Sequence, residues 1–538
     1  MQLLLNAHIH TLDPRRPFGQ AIAIDQGRIL AIGSRDEILA EFSGRGQRVD
    51  LGGRAVLPGL TDAHIHLQQY AFSLQKIDCE TPTIAECLRR VAELAHSTPA
   101  GQWILGHGWN QNDWLGDFGS ASDLDAVAPD HPVYLTAKSL HAAWANSAAF
   151  QRAGINAQTA DPPGGRFQRT QSGSLTGILF ETAMQLVAQV IPEPSPAQIA
   201  AALRQAQEKL WQMGLTGAHD FDRQPCFTAL QMLLDAGELG LRVLKSIPVE
   251  ALPQAVELGL RSGFGGDLLR IGPVKIFADG ALGPRTAAMF QPYEGEPENR
   301  GILSVDGEEL FETGRVAVQH GLGLAVHAIG DRANHEVLNA FDQLRELEHK
   351  KAIPNSFPAP RLRHRIEHVQ IIHPGDAPRL ANLGLIASMQ PIHATSDYLA
   401  ADRYWGARAS NSYAWRSLLN QGTRLAFGSD APVDSPNPFW GLHAAVTRRR
   451  QDGSPGEDGW YPAQRLKLEE ALHAYTAGAA YAAGLEQRLG MLAPGYLADL
   501  IVLDTDPFTC AVEQLPDIHP LGTMVGGNWV YTELPLSG

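Results

Sequence analysis

Cysteine is nearly absent: the 538 residues hold 4, Cys79, Cys87, Cys226 and Cys510, with no Cys-X-X-Cys pair among them. That is too few to staple a chain of this length, and it fits a reducing compartment with the thiols as small core residues. Basic charge is also in deficit. With 43 Lys and Arg against 58 Asp and Glu the formal net charge is -15, which excludes the basic field that a nucleic-acid or anionic-membrane surface needs. No apolar run reaches the roughly 18 residues of a membrane span. The opening Met1-Gln-Leu-Leu-Leu5 lacks the basic segment of a signal peptide, so a cytoplasmic location is expected by default. What is present is 44% apolar residues, enough for a large core, in a chain long enough for one large domain and at least one smaller one.

Within Leu57-Pro-Gly-Leu-Thr-Asp62-Ala-His64-Ile-His66 a short apolar strand ends in two histidines one residue apart. Side chains on a strand alternate, so His64 and His66 share a face, and paired imidazoles on rigid backbone are half of a typical zinc or iron site. The pair alone decides nothing, because Ala7-His8-Ile9-His10 repeats the same tetrapeptide. His8 and His10 fall before any barrel strand and read as ordinary strand residues.

Residues 1 to 55 read as short strands and turns, including a hairpin of Ala21–Asp25 with Arg28–Gly33. Residues 486–538 have the same character, so the two ends are expected to build one small β-sandwich domain. Between them, residues 56–485 alternate apolar strand runs with helices, the pattern of parallel βα units. Strands are expected at Leu215–Phe221, Leu241–Glu250, Arg270–Gly280, Gly321–Gly330, Arg361–Gln370, Gly384–His393 and Arg424–Val433. With the strand ending at His66 they make eight, so the predicted fold is an α/β (β/α)8 TIM barrel with its functional residues at the carboxyl ends of the strands. Ser195, Pro196 and Gln198 predict a capped helix start, and Lys467–Gly484 predicts another helix. The gap after His66 is far longer than one βα unit needs, which predicts an insertion at about 68–185. Its Trp103, Trp109, Trp114 and Trp144 are expected chiefly as its own core.

The ends of the expected strands carry polar residues after apolar or small-residue runs: Lys275 and Asp279 on strand four, His327 on five, His368 on six and Asp430 on eight. Together with His64-X-His66 they resemble the metal-dependent amidohydrolase superfamily. Val274-Lys-Ile-Phe-Ala-Asp-Gly280, Val326-His-Ala-Ile-Gly-Asp-Arg332, Arg365-Ile-Glu-His-Val369 and Phe427-Gly-Ser-Asp-Ala-Pro432 are similar, more narrowly, to its YtcJ-like branch, which includes N-substituted formamide deformylases. The resemblance implies divalent metal, zinc foremost, on His64, His66, Lys275, His327, His368 and Asp430. It places His64, His66 and Asp430 on one ion and His327 and His368 on a second, with carboxylated Lys275 and a hydroxide between them. Such an ion lowers the pKa of its water to about 7 and polarises a carbonyl, and Asp430 is implied as the general acid/base. An unmodified Lys275 paired with Asp279 in a mononuclear site is the alternative.

The expected activity is therefore hydrolysis of a non-peptide carbon–nitrogen bond in an amide, an N-substituted formamide or a cyclic amide. Two other functions compete with it. One is a mononuclear deaminase of a ring amidine, although such enzymes commonly place a glutamate soon after the strand-five histidine, where the nearest acid here is Asp331. The other is a catalytically silent barrel that binds or assembles. Candidate substrate contacts are His141, Arg285, Asp331, Arg332 and His393. Asp331 and Arg332 could equally orient His327 or cap the next helix, and His393 reads as the end of strand seven. The run Arg361, Arg363, Arg365 and Glu367 reads as an ion-paired outer face. The expected partner is a small-molecule substrate, with neither nucleic acid nor membrane, and a homodimer is left open.

Overall fold

A computed structural model of the chain describes residues 1–42, 44–110, 114, 118–137, 142–350 and 362–535. His141 and Arg361, named above, lie outside the described residues. The chain forms two compact units, one of residues 1–70 and 199–538, the other of residues 71–198.

The first unit holds eight consecutive parallel strands: β1 (Leu60–Ile65), β2 (Leu215–Asp220), β3 (Arg242–Pro248), β4 (Leu269–Phe277), β5 (Leu324–Ala328), β6 (Arg365–His368), β7 (Ile386–Met389) and β8 (Arg424–Phe427). Helices follow them, as the parallel connection requires. Every residue of β2, β5, β6 and β7 is buried, the signature of strands covered on both faces. Between β8 and β1 the barrel is closed by residues just beyond the strands. The Asp430 amide donates to the His64 carbonyl at 2.7 Å and the His66 amide to the Ala431 carbonyl at 3.0 Å. Asp62 joins the same seam, its Oδ1 accepting from the amides of His64 and Ser429 at 3.0 and 3.1 Å and its Oδ2 from the Ser429 hydroxyl at 2.5 Å.

The helix Pro196–Gln212 begins at Ser195, whose hydroxyl accepts from the Gln198 amide while its own amide donates to the Gln198 side chain. It buries Ile199, Leu203, Ala206 and Leu210 on one stripe. The expected helix over Lys467–Gly484 is interrupted. It runs as α-helix over Leu468–His473, widens to a π-turn over Ala474–Gly478 and resumes over Ala479–Ala482. A Cβ on Gly478 would stand 2.1 Å from the Leu425 carbonyl, so the widened turn coincides with a close approach of the helix to β8.

Two further expectations need correction. Arg365 and Glu367 do not form an outer face: both are fully buried inside the barrel. Strand alternation would then send His368 outward, but left-handed backbone at His368 (φ 73) and Val369 (φ 45) ends the strand and turns that imidazole back to the rim. His393 does not end strand seven either. Pro391 occupies the first turn of a helix over Pro391–Trp405, which places His393 on that helix.

Both chain ends contribute to one eight-stranded sheet. The strand Gln47–Pro58, which leads directly into β1, lies between Gln2–His10, to which it is parallel, and Leu500–Leu503, to which it is antiparallel. Leu4, Ile22, Val56, Leu500 and Val502 build its core. His8 is exposed there, and His10 bonds Asp506 at 3.0 Å and stacks on Phe508.

The second unit has a six-stranded sheet ordered Gly165–Arg169, Leu175–Glu181, Ala142–Ala145, Val133–Ala137, Ile104–Trp109 and Ile77–Asp78. Trp109, Trp114 and Trp144 are buried in its core, and each indole N–H donates to a carbonyl of the same unit, those of Leu135, Thr81 and Ser120.

Candidate metal centre

At the carboxyl ends of the barrel strands the side chains gather around Asp430. Its Oδ1 stands 3.5 Å from Nε2 of both His64 and His66, and its Oδ2 3.5 Å from Nε2 of His393. One nitrogen each from His64 and His368 lies with a carboxylate oxygen of Asp430 inside a 4.8 Å group. The His368 ring is centred 4.8 Å from His64 and 4.6 Å from His327. Asp430 holds its carboxylate there from a left-handed backbone position (φ 60), strain of the kind that persists where surrounding structure over-determines a functional side chain.

Each imidazole is held from behind. Nδ1 of His64 meets Glu367 at 2.7 Å, Nδ1 of His66 meets Asp222 at 3.3 Å, Nδ1 of His368 meets Gln390 at 2.9 Å and Nδ1 of His393 meets Asp434 at 2.7 Å. Nε2 of His327 instead donates to the Gly280 carbonyl at 3.0 Å, which leaves its Nδ1 as the nitrogen with a lone pair. Such backing fixes ring orientation and tautomer. Asp222, Gln390 and Asp434 lie outside the sequence motifs, and Glu367, inside the Arg365–Val369 motif, reads there as an outer-face residue. The sequence offers no spacing that would link them, since each reaches its histidine across the barrel or from a neighbouring loop.

The electrostatics separate the imidazoles into two groups. Burial, then the Lys275 charge, push His64 down to about 4 and His327 to about 3. Burial and the neighbouring His327 hold His368 well below its ordinary value. Burial also opposes protonation of His66 and His393, but the Asp222 and Asp430 carboxylates raise His66 to about 9, and those of Asp430 and Asp434 raise His393 to about 10. Asp430 stays well below the carboxylate range in spite of its burial, because His64, His393 and His66 surround it.

Lys275 lies two residues before the end of β4, with its ammonium 4.7 Å from the ring centres of both Phe221 and Phe277. Among the described residues no carboxylate lies within 4 Å of it and no acceptor bonds it. Burial lowers it to about 8, helped by Arg365 and opposed by Glu367 and Asp430. The alternative pairing with Asp279 does not form. That carboxylate accepts from the amides of Ile329, Gly330 and Ala288 at 3.0, 2.8 and 2.9 Å.

The other candidates lie apart from the cluster. Arg285 pairs with Glu296 and lies over Tyr404. Asp331 opens the helix Asp331–Lys350, and its Oδ1 accepts from the amides of Phe290 and Arg332. It lines a cavity of about 590 Å³ with Phe290, His335 and His373, and none of the clustered histidines is among the walls. Arg332 is exposed. His393, by contrast, belongs to the cluster through Asp430.

The amidohydrolase family model matches residues 47–531. The chain is 32% identical to YtcJ of Bacillus subtilis (strain 168), over 95% of this chain and 96% of that one. It is 29% identical to the N-substituted formamide deformylase of Arthrobacter pascens, over 98% and 97%. The crystal structure of an uncharacterized metal-dependent hydrolase from Pyrococcus furiosus superposes with a TM-score of 0.78 at 29% identity, covering 94% of this chain and 100% of that one. The chain belongs to the amidohydrolase family and is an enzyme of carbon–nitrogen bonds other than peptide bonds.

Proposed function

We propose that the chain is a metal-dependent hydrolase of an amide, an N-substituted formamide or a cyclic amide. The observation that carries this reading is the position of Asp430 Oδ1, 3.5 Å from Nε2 of both His64 and His66. That spacing is too long for a hydrogen bond. It suits a shared cation between an anionic oxygen and two imidazoles.

The donor set fits a divalent ion. His64, His327 and His368 are held neutral, as a ligand must be, and Asp430 is held ionised, while His66, raised to about 9 by Asp222 and Asp430, would release its proton on taking up the ion. Buried nitrogen and oxygen donors of this kind suit zinc. We assign His64, His66 and Asp430 to one ion and His327 and His368 to a second, with Lys275 shared as its carbamate. An amine with no acceptor among the described residues, buried and held near 8, is the form of lysine that adds carbon dioxide, releasing one proton and leaving a carboxylate-like anion.

A bound ion supplies a Lewis acid for the scissile carbonyl and an acidified water. Asp430 takes the proton of the attacking water and returns it to the leaving nitrogen. His393, braced by Asp434, faces the other oxygen of Asp430 and keeps the carboxylate aimed at the rim. Phe277, half exposed beside the His327 ring, offers an apolar wall for a substituent on the substrate nitrogen. The reading as a deaminase is disfavoured by Asp331, the nearest acid after His327, whose Oδ1 is occupied by two backbone amides.

A screen of N-formyl amines, hydantoins and aminopyrimidines tests the proposal. Release of formate and amine, or ring opening of a hydantoin, is the expected result. Ammonia from aminopyrimidines alone would replace it with the deaminase, and absence of both metal and turnover would leave the silent barrel.

A further inference from the structure

Arg365 is buried completely, inside a barrel of the kind usually filled by branched apolar side chains. A buried ion pair does not hold a fold together by itself, because desolvation consumes most of the attraction unless every donor is used. Here all three guanidinium nitrogens have partners. Nε donates to Oε1 of Glu367 at 2.5 Å and Nη2 to Oε2 of Glu367 at 3.0 Å. The two Nη2 hydrogens are shared with the Ala63 carbonyl at 2.6 Å and the Ser388 hydroxyl as well. Nη1 donates to Nδ1 of His219 at 2.8 Å. Glu367 is equally buried, and its Oε2 has one more partner, Nδ1 of His64 at 2.7 Å.

Counting hydrogens along this chain fixes the state of each member. A guanidinium only donates. A carboxylate gripped through both oxygens by a guanidinium is ionised and only accepts. The short contact between Glu367 and His64 therefore needs its hydrogen on Nδ1 of His64, and because burial disfavours the charged ring, Nε2 keeps its lone pair on the side facing Asp430. The same guanidinium anchors the backbone immediately before His64 through the Ala63 carbonyl. One buried cation thus sets both where the residue sits and how its ring is turned.

We propose that Arg365 and Glu367 are a positioning pair that fixes His64 as its Nδ1–H tautomer, with the Nε2 lone pair aimed at Asp430 before any ion arrives. The consequence for metal affinity rests on the reading of His64 as a ligand given above; the tautomer does not. In Glu367→Gln the amide oxygen turns to Arg365, and the amide N–H₂ is left facing Nδ1 of His64. That nitrogen must now accept, so the tautomer inverts and the lone pair leaves Nε2. Partners behind a metal-bound histidine typically carry roughly 10- to 100-fold in metal affinity.

Two-bond proton–nitrogen correlation spectra of metal-free protein labelled with ¹⁵N-histidine test this, with the His64 signals identified by their loss in His64→Asn. The expected result is hydrogen on Nδ1 in the wild type, hydrogen on Nε2 in Glu367→Gln, and zinc affinity at least about tenfold weaker in that variant. Glu367→Asp, which keeps the charge, should retain the wild-type tautomer. Hydrogen on Nε2 in the wild type would overturn the proposal without any variant, so it stays testable if Glu367→Gln fails to fold. An unchanged tautomer in a folded Glu367→Gln would also overturn it. An inverted tautomer with unchanged zinc affinity would overturn the link to the ion, and the failure would then lie in the reading of His64 as a ligand.

Discussion

Asp430 closes the barrel onto His64: its amide donates to the His64 carbonyl at 2.7 Å, and its Oδ1 stands 3.5 Å from Nε2 of the same residue. The seam that closes the sheet and the cluster that gathers donors are therefore one piece of structure. Damage to the seam should appear at the metal as well as in stability.

Gly428 tests that coupling. A Cβ there would stand 2.4 Å from the His64 amide nitrogen and 2.5 Å from Asp62 Oδ1. Gly428→Ala should cost about 1–3 kcal/mol in a denaturant titration, the usual range for forcing an extra carbon into a packed site. It should also weaken zinc binding. Gly266→Ala is the control, since among the described residues nothing lies within 4 Å of the added carbon, and its effect should stay within about 0.5 kcal/mol. Loss of stability with metal binding intact would separate the seam from the site.

Lys275 should make metal uptake depend on bicarbonate and on pH. Burial holds its folded pKa at about 8, below the ordinary 10.5, so the neutral amine grows as pH rises through about 8. The sign for stability follows: the unfolded chain holds that proton more tightly, and the metal-free fold gains stability as pH rises from about 8 towards 10.5. Zinc uptake by metal-free protein in bicarbonate should increase between about pH 7 and about pH 9. In Lys275→Ala the bicarbonate dependence should vanish. Uptake by the wild type that ignores bicarbonate would remove the carbamate.

Glu348 should shape the acid limb of stability. Burial would raise its pKa, but the bond to Nε2 of His364 at 2.8 Å and the charges of His364 and Arg345 prevail and hold it below the usual 4.5. A depressed folded value means that the contribution is complete above the unfolded pKa of 4.5 and is lost as pH falls through the folded one. Glu348→Gln should flatten the decline in unfolding free energy between about pH 5 and about pH 3. An unchanged slope would show that the pair does not differ between the folded and unfolded chain.

Much of this was legible in the amino-acid sequence because strand ends carry their own signals. The apolar runs before His64, Lys275, His327 and Asp430 mark β1, β4, β5 and β8, and a polar residue after such a run points to the rim. Two features escaped for backbone reasons. The left-handed residues His368 and Val369 break the alternation that assigns Arg365 and Glu367 to a face, and Pro391 starts a helix where the apolar run suggests strand. Partners such as Asp222 for His66 and Asp434 for His393 are set by three-dimensional proximity alone. The left-handed conformation of Asp430, a residue type that tolerates it, left no mark in the sequence either.

Metal content per chain is the most direct test of the central claim, measured on purified protein after dialysis for the wild type, His66→Ala and the control His10→Ala. His66 meets Asp222 and Asp430, whereas His10 sits in the end sheet with Asp506. The account predicts about two divalent ions per wild-type chain, near-complete loss together with activity in His66→Ala, and wild-type content in His10→Ala. Equal metal content in all three proteins would contradict it.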